Sequence, residues 1–146
     1  MNKTNDLRSK SVFSLFLVLF IAVTSCDTNT VEYNPPLTET YYGYELSVQS
    51  VERAGNSWKG GVFEHLAGPG EEIIVIHLSI KHLGGAQKLD IKRIELIGVD
   101  NITGESALTG FTIPPTAGDH SKKIAFRMPK GTELKTLKIG GIQFEL

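Results

Sequence analysis

The sequence is poor in the features that announce most functional classes. Its 146 residues contain one cysteine, Cys26, so neither an intramolecular disulfide nor a cysteine-rich zinc cage can be built. Charge of one sign is also lacking. Against 15 Lys+Arg stand 16 Asp+Glu, a formal net charge of -1, which gives no electrostatic basis for binding nucleic acid. The glycines Gly60-Gly61, Gly68-Pro69-Gly70, Gly84-Gly85 and Gly140-Gly141 never form Gly-x-Gly-x-x-Gly and open no helical pattern, so they read as turn glycines rather than a phosphate cradle. No window shows the 3.6-residue period of a long amphipathic helix. The length suits a single domain.

What is present begins with a leader. Lys3, Arg8 and Lys10 precede an uncharged apolar run from Val12 to Val23. As a helix this run of twelve would rise only about 18 Å, short of the roughly 30 Å hydrocarbon core of a bilayer. A basic start, a short apolar stretch and small residues after it describe a secretory signal peptide over residues 1–25. The next four residues, Val23-Thr24-Ser25-Cys26, follow the order of a bacterial lipobox. That motif predicts a diacylglycerol on the Cys26 thiol, cleavage just before it, and acylation (palmitate or a similar chain) of the new amino terminus. Two or more acyl chains anchor a protein stably where one does not. The expected location is therefore the bacterial cell envelope, lipid-anchored to a membrane on its periplasmic side or at the cell surface.

Residues 26–40 are polar, contain Pro35-Pro36 and show no periodic apolar pattern; they are expected to form a flexible tether after the lipidated cysteine. From Tyr41 the period becomes two. Apolar and polar residues alternate over 44–49, and Val51 resumes one step out of phase, which predicts a bulge near Ser50. Ile74, Ile76, Leu78 and Ile80 share one face of a long strand. Its other face begins apolar with Ile73 and Val75 and then turns polar, as in a central strand covered at one end. Further strands are expected at 94–99, 124–128 and 137–146, the last bent or bulged at Gly140-Gly141. About seven short strands separated by turn signals suit an all-β, two-sheet antiparallel sandwich over residues 41–146.

These runs also carry a resemblance. The order Gly43-Tyr44-Glu45-Leu46-Ser47-Val48, Pro69-Gly70 before the strand 73–82, Ile94-Glu95-Leu96-Ile97, Lys123-Ile124-Ala125-Phe126-Arg127-Met128-Pro129 and Leu137-Lys138-Ile139 resembles a group of small immunoglobulin-like bacterial lipoproteins and secreted antigens with a domain of unknown function. The resemblance implies an immunoglobulin-like sandwich at the cell envelope and no shared catalytic residues. The stretch 58–66 and His82 depart from that pattern.

Chemistry-bearing residues are scattered. His77 and His82 lie five apart on one strand and point to opposite faces. His65 and His120 are expected in or near loops, beside Glu64 and Asp119, and a hydrolytic or metal-dependent site from His65, Asp119 and His120 is the alternative to a non-enzymatic protein. Neighbours in sequence rarely face one another, and zinc needs three or four converging ligands. The basic residues Lys122, Lys123, Arg127, Lys130, Lys135 and Lys138 read as solvated outer-face positions. Exposed aromatics are the stronger binding candidates: Trp58 in a polar loop, and Tyr41 and Tyr42 where the β pattern begins. The expected function is thus a non-enzymatic envelope lipoprotein, structural or binding a protein or glycan, with no cofactor, no metal and no nucleic-acid partner.

Overall fold

The computed structural model describes residues 29–84, 87–114 and 118–146. The expected signal peptide, residues 1–25, and Cys26 lie outside those residues. Twelve strands run through the described residues: β1 (Thr30–Tyr41), β2 (Tyr44–Gly55), β3 (Ser57–Gly60), β4 (Phe63–Leu66), β5 (Glu71–His82), β6 (Leu89–Ile91), β7 (Ile94–Gly98), β8 (Glu105–Ser106), β9 (Phe111–Ile113), β10 (His120–Pro129), β11 (Leu134–Ile139) and β12 (Ile142–Glu145). No helix among the described residues is long and apolar enough to cross a membrane.

The sheets are antiparallel, and the two largest form a sandwich-like pair. A five-stranded sheet has the order β1-β2-β5-β10-β8, and a three-stranded sheet the order β12-β11-β7. Their inner faces meet in one apolar cluster. Leu46 and Val48 of β2, Ile74, Ile76, Leu78 and Ile80 of β5, Ile124 and Phe126 of β10, Leu96 of β7, and Leu137 and Ile139 of β11 are all buried there. Each such side chain is worth about 1.5–3 kcal/mol when fully removed from water. Both long edges close. On one side β1 packs against β12. On the other, the Gly104 amide donates to Leu96 O at 2.7 Å, and Ile97 bridges Thr103, drawing the chain before β8 onto β7.

Period-two alternation produces this arrangement. On β5 the even positions enter the central cluster, while Ile73 and Val75 face outward and are buried with Ala125 beneath Ala54, Trp58 and Ala67. Farther along the same face, His77, Ser79 and Lys81 are partly or fully exposed. The β2–β5 register slips between Val48 and Ser50, which places the expected bulge at Gln49.

Two expectations are corrected. The stretch 26–40 is not a tether from Thr30 onward, because β1 pairs with β2 from Thr30↔Glu52 to Tyr41↔Tyr44. Pro35-Pro36 sits where the register shifts between Glu32 and Leu37, on an edge strand, where a missing amide proton breaks no ladder. The expected strand 137–146 is a hairpin of β11 and β12, with Gly140 at φ 59 in its turn. Several strands went unforeseen: β6, β8 and β9 have only two or three residues, too few to display a period.

Candidate functional site

The outer face of the large sheet carries the most developed surface feature. Gly55, at φ 73, ends β2, and the chain then doubles back as the β3–β4 hairpin, with Ser57↔Leu66 at its base and Gly60↔Phe63 at its tip. The hairpin lies over Ile73, Val75 and Ala125, and Trp58 supplies the contact. Its indole stacks on the His65 ring, with centroids 5.5 Å apart and planes at 24°. Gly60 is required by this packing, since a Cβ there would overlap the Trp58 ring.

The hairpin and the β8–β10 side of the sheet enclose an open groove of about 520 Å³, lined by Trp58, Lys59, Phe63, His65, Leu108 and Lys123, among others. This lies within the size range of ligand clefts. Phe63 is 70% exposed and Val62, at the hairpin turn, 92%. The groove therefore joins three ring systems to two ammonium groups on a rigid sheet. Lys123 stands opposite His77 in the β5–β10 register, and His77 Nε2 lies 3.1 Å from Glu52 Oε2. The polar side of the groove thus leads into a histidine–carboxylate pair on the same outer face.

The aromatic candidates do not share one surface. Trp58 follows the end of β2, whereas Tyr41 and Tyr42 precede its start. The hairpin folds Trp58 back over Val75, which lies seven residues along β5 from His82, the partner of Tyr44, so the two groups stand roughly 24 Å apart along the strand direction. Trp58 is half-buried, roofing the outer apolar cluster with one part of the ring and lining the groove with another. Tyr42 and Gly43 form a two-residue turn at φ 48 and 80, the positive pair a type I′ hairpin requires. That turn puts Tyr41 beside Tyr44 on the inner face and leaves Tyr42 66% exposed. Tyr41 and Tyr42 meet edge to face at 4.5 Å.

His65, Asp119 and His120 are not brought together. His65 lies on β4, stacked on Trp58. Asp119 accepts a hydrogen bond from the His82 amide at 3.0 Å. His120 opens β10, its Nδ1 donating to the Gly118 carbonyl at 2.8 Å. His65 borders the sheet near Ala125 to Arg127, about 17 Å along β10 from His120 at roughly 3.4 Å per residue. No group of three His, Cys, Asp or Glu that could hold a metal occurs among the described residues. Lys123 and Arg127 do face outward, opposite buried Ile124, Phe126 and Met128.

Phe63, Leu108 and Lys123 were not foreseen as groove residues. The Gly60-Gly61 pair between two short polar–apolar runs was the available signal for the hairpin. Nothing local in the sequence tells that it folds back onto β10. No protein-family model, curated protein or solved structure matches the chain.

Proposed function

We propose that this protein is a non-enzymatic lipoprotein of the bacterial cell envelope. In this reading an immunoglobulin-like domain is anchored through lipid on Cys26 and binds an envelope protein or glycan in the hairpin groove. The observation that carries the binding assignment is the groove itself, with half-buried Trp58 and exposed Phe63 flanking His65 on a rigid sheet. Exposed aromatic rings give large contact area for little loss of side-chain freedom. Binding surfaces on loops and hairpins borne by a rigid sandwich are a common arrangement.

Strand order supports the immunoglobulin-like reading. With β1, β3, β4, β6 and β9 set aside, the remaining seven strands in chain order are β2, β5, β7, β8, β10, β11 and β12. They divide as β2-β5-β10-β8 and β7-β11-β12, the A-B-E-D and C-F-G division of the constant-type fold. The anchoring reading rests on the lipobox and the leader before it.

Phe63→Ser tests the binding assignment. Its side chain is mostly in water, so the melting temperature should stay near that of the wild type. Crosslinked capture from envelope extract, or retention on purified envelope glycan, should fall sharply. Unchanged capture of the same partners by a folded Phe63→Ser protein overturns the groove assignment. Intact mass of the membrane fraction, with Cys26→Ser as control, tests the anchor separately.

A further inference from the structure

The sheet topology places four exposed aliphatic side chains at one end of the sandwich, the end from which the chain runs back toward Cys26. Val31 lies two residues into the described chain, opposite Val51 near the end of β2. Leu66 closes the base of the β3–β4 hairpin opposite Ser57. Val99 and Ile102 belong to the segment between β7 and β8, where the Val99 amide donates to Glu133 O at 2.9 Å and Ile102 O accepts from the Gly98 amide at 2.8 Å. Their exposures are 59%, 59%, 47% and 36%. Of the large apolar side chains exposed among the described residues, the opposite end holds Tyr42 and Leu83, while Val62 and Phe63 belong to the hairpin tip.

We propose that this end is a lipid-contact face, seated on the bilayer surface by Val31, Leu66, Val99 and Ile102. The proposal rests on the lipid anchor at Cys26. Because β1 already begins at Thr30, only three Cα–Cα steps separate Cys26 from Asn29, a reach of at most about 11 Å. The anchor therefore holds this rim, rather than any other part of the body, within reach of the interfacial zone. Tethering at such a length raises the effective concentration of the surface, so a contact too weak to form from solution becomes populated. Charge does not supply the attraction. The rim mixes Asp100 and Glu133 with Lys130, so no single sign faces the headgroups, and the contact is apolar in origin. A neutral bilayer should serve as well as an anionic one.

The test uses full-length acylated protein carrying Val99→Cys, Ile102→Cys or, at the far end, Leu83→Cys. The introduced thiol is labelled with an environment-sensitive fluorophore, Cys26 being occupied by its lipid. On phosphatidylcholine vesicles the labels at 99 and 102 should shift to the blue, lose access to aqueous iodide and be quenched by nitroxide headgroups. The label at 83 should do none of these, and added phosphatidylglycerol should change nothing. Equal water access at all three sites on vesicle-bound, acylated protein overturns the contact face and leaves the anchor standing. A blue shift in lipid-free Cys26→Ser protein that grows with concentration assigns the rim to a second copy of the chain and overturns the proposal. Protein lacking acyl mass on Cys26 overturns the anchor, and the contact face with it.

Discussion

At the end of the sandwich where β1 begins, the strands are tied by charge and backbone. Arg53 on β2 reaches Glu72 on β5 through Nη1, and its Nη2 donates to Thr132 O at 2.6 Å. The same Glu72 oxygen accepts the Gly131 amide at 2.8 Å, so one buried carboxylate joins β2, β5 and the β10–β11 turn. At the other end the ties are rings and turns. Tyr44 is buried and donates to Gln87 O at 2.8 Å, His82 stands 5.3 Å from it, and Tyr41 covers Gly140-Gly141. The difference is one of tolerance. A buried carboxylate cannot lose a partner without leaving another group unpaired, whereas packed rings yield by degrees.

The largest effect is therefore expected from Glu72→Ala. It strands both Arg53 Nη1 and the Gly131 amide, and the part-exposed guanidinium moderates the loss to about 2–3 kcal/mol. A lower denaturant midpoint with unchanged slope would show it. Gly60→Ala follows, at about 1–3 kcal/mol for forcing the Trp58 ring off its seat. Because the chain has a single tryptophan, a red-shifted emission would report the displacement directly. Were Glu72→Ala milder than Gly60→Ala, the contrast between the charged clamp and ring packing would collapse.

At the far end the expected sign reverses. Tyr42 holds a positive φ that suits Asn better, so Tyr42→Asn should raise stability by about 1 kcal/mol, visible as a higher melting temperature. The smallest effect belongs to Tyr33. Burial pushes its hydroxyl above the ordinary phenol value of 10.0. The fold favours the neutral phenol, so that contribution is intact below pH 10 and is lost as pH rises through the raised value. Tyr33→Phe should flatten the alkaline limb of the stability profile and leave neutral pH unaffected.

The long strands were legible because each repeats its period several times. Ile74, Ile76, Leu78 and Ile80 declared one face of β5, and the switch from Val75 to His77 declared how far its other face is covered. The out-of-phase Val51 located a bulge. Pro35-Pro36 hid β1, since composition alone cannot tell an edge strand with a register shift from a linker. The groove was legible only in part. Trp58 stood out as a large ring in a polar stretch, but its companions Leu108 and Lys123 are distant in sequence and join it only through the fold-back of a four-residue strand pair. Tyr41 and Tyr42 adjoin in sequence, yet the I′ turn sends one inward and one out.

The orientation of β1 has a mechanical consequence. A pull on the chain ahead of Asn29, directed away from the body, runs along β1, and β2 holds that strand from Thr30 to Tyr41 on either side of the shift at the prolines. Such a load shears the pairing, so the rungs share the force side by side instead of parting one after another. Loaded in this direction, the domain should withstand tugging far better than one pulled by a strand that peels.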